Sequence, residues 1–267
     1  MERRREKKWK LLIEYEGTRY RGWQEQRNAR TVQGELRRAA EDYLGERIEL
    51  AGAGRTDAGV HALFQIAHLQ ASASTAADVS AIALKHALND RLAADINIRR
   101  VTETDPRFHA RHDAVERFYL YQIAVRRTAF GKPFVWWIRD RLNVEEMQRA
   151  TSRLVGRHDF SSFMERDGAD TARIESRVEV TGCELRAMGD LILFRIGASH
   201  FLWKMVRRIV GVLAEVGRGN IAASEIMKLR HAEIARLTAP PAGLFLEYVR
   251  YQDDPPPKPI SPAFHSF

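Results

Sequence analysis

Cysteine is almost missing from the 267-residue sequence, in which Cys183 is the single one. One thiol cannot form a disulfide within the chain, which fits a reducing compartment. No run of apolar residues approaches the roughly 18 that a membrane-spanning helix needs. The basic start, residues 1–8, also lacks the apolar core of a secretory signal. We therefore expect a soluble, cytoplasmic protein with no membrane partner.

Positive charge is in excess. The chain has 43 Lys and Arg against 35 Asp and Glu, a net charge of +8 and a pI of about 9.8. Such an excess favours a polyanionic partner, although many basic proteins bind no nucleic acid. A hydrophobic content of 45% is ordinary for a globular protein and is enough to bury a core. The length allows one large domain or two modest ones.

Residues 52–62, GAGRTDAGVHA, are the most informative stretch. Its three glycines permit backbone turns that other residues resist. The stretch lies between two β-like segments, 47–50 and 63–69, and fixes Arg55 two residues before Asp57. A polar loop of this kind is how a scaffold presents a reactive carboxylate. The alternative is a plain turn, in which Asp57 bonds its own backbone.

Hydrophobic spacing predicts an α+β fold. Trp9 to Tyr15 alternate as a strand, and Thr31 is the expected N-cap of the helix that follows. Asp78 is expected to cap a second helix, on whose buried side lie Val79, Ile82, Ala83 and Leu88. Residues 9–101 thus read β-α-β-β-α-β, the order of a split βαβ layer. The predicted divisions are a flexible N-terminus (1–8), an N-terminal α+β domain (9–108), a C-terminal α+β domain (109–252) and a Pro-rich, disordered tail (253–267).

The loop 17–30 carries polar and aromatic groups suited to RNA. Arg21 and Gln24 are expected to bond phosphates or 2′-hydroxyls, and Trp23 could stack on a base. The alternative for Trp23 is that it covers the edge of the core, because tryptophan is usually mostly buried.

The C-terminal half offers one strand and one helix of interest. Arg117, Tyr119 and Tyr121 share one face of a predicted strand, either as the aromatic wall of a cleft or as an exposed sheet face. The strands predicted at 173–185 and 190–197 pair around residues 188–190. The longest apolar helix is predicted from Ser199 to Val216, with Arg207 at the margin of its apolar stripe, either paired with a carboxylate or reaching to water.

His109 and His112 lie three residues apart and raise the question of a metal site. Zinc requires three or four nitrogen or sulfur ligands, and no cysteine is near. We therefore expect no metal ion here.

Several separated segments together resemble the TruA-type tRNA pseudouridine synthases. They are YRGWQEQ (20–26), TVQGEL (31–36), GRTDAGVHA (54–62), FHAR (108–111), RFYLY (117–121), GRHDFSSF (156–163), FLWKMVR (201–207) and PPAGLFL (240–246). The resemblance implies two similar split βαβ-like halves whose sheets join around a basic cleft. It implies that Asp57 is catalytic, that Arg207 pairs with it, and that Tyr119 contacts the base. Phe64, His112 and Lys204 depart from the usual pattern.

The implied reaction is isomerisation of uridine to pseudouridine at positions 38, 39 and 40 of the tRNA anticodon stem-loop, by a homodimer without a cofactor. Arg55 is expected to fill or open the gap left by the flipped nucleotide. Three alternatives stay open. They are a non-catalytic RNA-binding protein, a synthase with another RNA target, and a metal hydrolase using Asp57, His61 and either His109 or His112.

Overall fold

The computed structural model describes residues 6–165 and 175–263. By its internal contacts the chain divides into two compact units. The first unit comprises Met1–Val115 with Leu246–Pro255, and the second comprises Glu116–Phe245 with Pro256–Phe267. No helix in the described ranges is both long and apolar enough to cross a bilayer.

Both units contain strands and helices in mixed order, as the α+β prediction requires. In the first unit they are β1 (Glu6–Tyr15), α1 (Val32–Leu44), β2 (Glu49–Gly52), β3 (His61–Ser72), α2 (Ala73–Ala76), α3 (Ala81–Arg91) and β4 (Ile96–Glu103). The chain then enters the second unit with β5 (Glu116–Ala124), β6 (Trp136–Trp137), α4 (Val144–Ser152), β7 (Gly156–Asp159), β8 (Arg177–Met188), β9 (Leu191–Ala198), α5 (Met205–Arg218) and α6 (His231–Ala235). The last strand is β10 (Leu244–Arg250), most of which belongs to the first unit.

The sheet of the first unit has the strand order β4-β1-β3-β10, and β2 pairs with β3. β1 runs antiparallel to both neighbours, with Trp9 opposite Leu69 on β3. The predicted alternation of β1 is confirmed, since Trp9, Leu11 and Ile13 are fully buried. The β-α-β-β-α-β order is confirmed as well, with the short α2 as an addition.

One of the two predicted N-caps in this unit is right. Thr31 caps α1 by accepting the Gly34 N–H. The Asp78 cap is wrong, because Ser80 accepts the Ala83 N–H and α3 begins two residues later than expected. The buried residues of α3 are Leu84, Ala87 and Leu88, while Ile82, which was predicted to be buried, is 71% exposed.

The sheet of the second unit runs β5-β9-β8-β7, and β6 pairs with β5. The predicted hairpin is confirmed as β8 and β9, although residues 173–174 of its first strand lie outside the described residues. The predicted helix from Ser199 is wrong in its start, since α5 begins at Met205. Lys204 has a φ of 61°, and a left-handed residue cannot continue a helix in the N-terminal direction.

The described parts of the two chain ends make regular or tertiary contacts that their composition does not indicate. The predicted flexible head is wrong for residues 6–8, which form the start of β1. In the tail, Arg195 donates to the Lys258 carbonyl and the Ala263 N–H donates to Gln122. Ile260 is buried, so the described part of the tail has tertiary contacts where disorder was predicted. Residues 1–5 and 264–267 lie outside the described residues.

Candidate functional site

The segment that carries Asp57 is a loop between the antiparallel strands β2 and β3, as the sequence predicts. Asp57 is half-buried in it, between the buried Thr56 and the exposed Ala58, and Arg55 is exposed. A half-buried carboxylate beside an exposed guanidinium can reach a bound molecule while its backbone is held by the protein.

A second loop, residues 17–30, holds this one in place through its backbone. The Trp23 N–H donates to the Thr56 carbonyl at 3.0 Å, and the Gly59 N–H donates to the Tyr20 carbonyl at 3.3 Å. Gly22 has a φ of +96°, and a Cβ there would lie 2.5 Å from the Thr56 carbonyl oxygen. Only glycine fits this close approach of the two loops.

The plain-turn interpretation of Asp57 holds for its backbone. The Val60 N–H donates to the Asp57 carbonyl at 3.1 Å, and Gly59 has a left-handed φ of 78°. This turn uses the carbonyl oxygen of Asp57. A turn and a reactive carboxylate are therefore compatible at this position.

Two buried side chains anchor the ends of the loop. The Tyr15 and Thr56 hydroxyls lie 2.7 Å apart, and burial raises the pKa of Tyr15, which keeps the phenol protonated. His61 is fully buried, and its Nδ1 accepts the Gly17 N–H at 3.0 Å. Sequence reasoning placed Tyr15 in a strand and did not connect it with the loop.

The predicted RNA-contacting residues of loop 17–30 differ in their exposure to solvent. Trp23 is 1% exposed and lies under Gly52, where an added Cβ would meet its ring at 2.6 Å. Trp23 therefore covers the core edge, and its stacking on a base is ruled out. Gln24 is half-buried and donates to the Gln33 side chain at 2.8 Å, while Arg21 is exposed.

Tyr119 lies in β5, opposite Ile196 of β9. It is 7% exposed, and its ring meets the Phe201 ring edge-on at 5.0 Å. All nine residues of β5 are buried. The alternative of an exposed sheet face is therefore wrong.

Arg207 lies in the first turn of α5 and is half-buried. Its Nε donates to the Ala239 carbonyl at 2.8 Å, and the Ala239 N–H donates to the Arg207 carbonyl at 3.0 Å. Burial raises the pKa of the nearby Tyr121, while the positive charge of Arg207 acts in the opposite direction. The guanidinium is thus held by a backbone segment that sequence reasoning did not identify as its partner.

The described residues contain no group of three or more His, Cys, Asp or Glu side chains arranged to hold a metal ion. His109 Nδ1 instead accepts the N–H groups of Arg111 and His112 at 3.2 and 3.3 Å. With His61 Nδ1 also occupied by a backbone N–H, neither histidine is prepared to act as a ligand through that atom.

Comparison with known proteins identifies the same family that the sequence motifs resemble. A sequence profile of the tRNA pseudouridine synthases matches residues 11–113 and 150–252. A protein called tRNA pseudouridine synthase A from Thermoanaerobacter sp. (strain X514) is 40% identical over 248 residues, 90% of this chain and 98% of its own length. A protein of the same name from Acetivibrio thermocellus is 40% identical to this chain, and one from Brucella ovis is 37% identical. Each of these two alignments covers 91% of this chain and 98% of the relative. The chain belongs to the tRNA pseudouridine synthase family.

Proposed function

We propose that the protein isomerises uridine to pseudouridine in tRNA, with Asp57 as the catalytic carboxylate. The observation that carries the proposal is the presentation of Asp57, half-buried on a loop whose backbone is hydrogen-bonded to Trp23 and Tyr20 of the neighbouring loop. The family membership and the similarly named relatives support the substrate class.

In this reaction the bond from ribose C1′ to uracil N1 breaks, the base turns, and a C1′–C5 bond forms. Asp57 attacks C1′ or C6 covalently, or removes the C2′ proton to give a glycal. The proton on C5 leaves after the new bond has formed, N1 gains a proton, and any bond between Asp57 and the substrate is broken again, which frees the carboxylate. Atoms and electrons balance within the substrate, so the reaction requires no redox partner or energy input.

Arg207 and Tyr119 are proposed to complete the site in the second unit. A guanidinium beside Asp57 favours the ionised carboxylate and fixes its direction. Tyr119 faces the base, on which it stacks or from which it moves the C5 proton. Arg207 is held by the Ala239 carbonyl, and Tyr119 is held by the Phe201 ring. These contacts support the proposed roles because both side chains are positioned before substrate binds.

Exposed groups of the first unit are proposed to hold the RNA. A uridine in a stem must leave the base stack before a carboxylate can reach its C1′. Arg55, exposed two residues before Asp57, is proposed to fill the gap that remains. Arg21 and the half-buried Gln24 are proposed to bond the backbone nearby.

The anticodon stem-loop, at positions 38, 39 and 40, is the proposed target, and the proposed enzyme is a homodimer in the cytoplasm. The proposed self-contact would cover Phe130 and Trp137, two large apolar side chains between β5 and α4 that are 82% and 42% exposed. Burial raises the pKa of Cys183 to about 12, so little of this thiol is present as the reactive thiolate.

Release of tritium from C5-labelled tRNA tests the proposal, since a protein that only binds RNA releases none. We expect release to follow enzyme concentration, and sequencing of the product to map pseudouridine to positions 38–40. Release with the modified base elsewhere would support a different RNA target. No release from any tRNA would reject the proposed activity.

A further inference from the structure

Glu165 contacts three residues at the start of α5. Its Oε2 accepts from Lys204 Nζ at 3.1 Å and from Arg208 Nη2 at 2.5 Å. Its backbone N–H donates to the Trp203 carbonyl at 2.9 Å. One acidic residue thus binds positions on both sides of Arg207.

The backbone at Lys204 needs such a contact. Lys204 is the one non-glycine residue with a positive φ among those described, and a left-handed backbone is strained for a residue with a Cβ. Lys204 is also the N-cap residue of α5, but its side chain makes no capping hydrogen bond to the helix. Its carbonyl accepts the Arg208 N–H at 3.0 Å, so the strained residue begins the helix that carries Arg207.

Arg208 needs a carboxylate for another reason. It is 1% exposed, its Nη1 lies 3.2 Å from His231 Nε2, and within the described ranges its Nε has no hydrogen-bond partner. A buried guanidinium is unfavourable unless a counter-charge compensates it. Burial alone would raise the pKa of the Glu165 carboxyl, but the Lys204 hydrogen bond and the Arg208 charge bring that pKa below its usual value.

On the other side, Arg207 is held by the segment that precedes Pro240. Ala239 bonds both its Nε and its carbonyl, and α5 approaches this segment so closely that a Cβ on Gly211 would lie 1.4 Å from the Leu237 carbonyl oxygen. The direction of the Arg207 side chain therefore depends on two anchors, the 237–239 segment and the start of α5.

We propose that Glu165 is a positioning residue for Arg207. Its carboxylate stabilises the left-handed Lys204 and the buried Arg208, and so fixes the first turn of α5. The inference rests on the proposed function, in which the Arg207 guanidinium orients the catalytic carboxylate.

The test compares Glu165→Gln with variants that separate charge from shape. In Glu165→Gln we expect kcat to fall at least about tenfold while KM for tRNA stays within about twofold, since the misplaced group acts on the chemical step. Glu165→Asp, which keeps the charge, should recover part of kcat. Adding Lys204→Gly to Glu165→Gln should also recover part, because glycine adopts the left-handed backbone without strain.

Glu215→Gln is the matched control. Glu215 pairs with Arg218 at 2.5 Å near the other end of the same helix, so its loss should leave both constants unchanged. An unchanged kcat in Glu165→Gln would overturn the inference. A fall in kcat that neither Glu165→Asp nor Lys204→Gly relieves would also overturn it, since a general loss of structure would then explain the defect.

Hydrogen exchange separates this inference from the proposed function. Amides 205–208 should exchange faster in Glu165→Gln than in the wild type, whether or not the wild type turns over. A wild type that releases no tritium rejects the proposed activity. Unchanged exchange at these amides rejects the positioning role.

Discussion

The hydroxyl of Tyr15 lies 2.7 Å from the hydroxyl of Thr56, in a buried hydrogen bond across 41 residues of sequence. Tyr15 is the last residue of β1, and Thr56 directly precedes Asp57. The proposed catalytic residue is thus tied to the central strand of its own sheet. Because a loop is ordinarily mobile, this bond is a means of fixing the carboxylate before substrate binds.

Tyr15→Phe should destabilise the protein and slow the reaction. The substitution leaves the Thr56 hydroxyl buried without its partner, which costs about 1–3 kcal/mol of the free energy of unfolding. Urea denaturation measures this loss, and tritium release measures the fall in kcat. Tyr43→Phe removes a phenol from α1, away from this contact, and should change neither. Equal effects of the two variants would contradict the anchoring role.

Gly22→Ala should displace the loop that carries Asp57. A Cβ at residue 22 would lie 2.5 Å from the Thr56 carbonyl, and the φ of +96° adds strain of order 1–3 kcal/mol. We expect a lower midpoint of unfolding and a kcat reduced by about tenfold or more.

Gly45→Ala is the control for that variant, since Gly45 also has a positive φ, of 69°, but an added Cβ meets nothing within 4 Å. It should cost about 1 kcal/mol of stability and leave kcat unchanged. Activity lost equally in both variants would show that backbone strain, and not the contact with Thr56, matters.

Much of the fold could be predicted because the controlling contacts are local. Thr31 accepts a hydrogen bond from the N–H three residues ahead, and this cap was predicted from the sequence. The choice between Asp78 and Ser80 failed because both residue types can cap a helix and they lie two apart. The burial of Ile82 was also predicted wrongly, because the tertiary contacts of α3 bury Leu84, Ala87 and Leu88 instead.

The rest could not be predicted because the controlling contacts are distant in sequence. The start of α5 depends on Lys204 and Glu165, which are 39 residues apart. The Arg207 contact with Ala239 spans 32 residues and uses a backbone carbonyl, which every residue type possesses. At the site, the motifs identified Asp57, Tyr119 and Arg207 as residues of interest, but no spacing rule revealed which groups hold them.

Stability should depend on pH through His68. Burial lowers the pKa of this histidine, outweighing the hydrogen bond to Glu49, while His109 and Lys8 lower it further. A lowered pKa in the folded state means that the unfolded chain, with a pKa of about 6.5, binds more protons below that pH. Stability should therefore be fully present above about pH 6.5 and be lost as the pH falls below it.

Urea midpoints measured from pH 5 to 7.5 check this dependence. His68→Asn keeps an acceptor for the Ala110 N–H, which now donates to His68 Nδ1 at 3.1 Å, but removes the titrating ring. The variant should show a flatter pH profile than the wild type. A profile that is unchanged would assign the dependence to other groups.

The most direct test is tritium release by Asp57→Asn, which keeps the shape of the side chain and removes its charge and nucleophilicity. Asp78→Asn, at an exposed aspartate of the same unit, is the control. We predict that Asp57→Asn binds tRNA with nearly the wild-type affinity and releases no tritium, while Asp78→Asn releases it at the wild-type rate. Turnover by the purified Asp57→Asn variant would contradict the central claim.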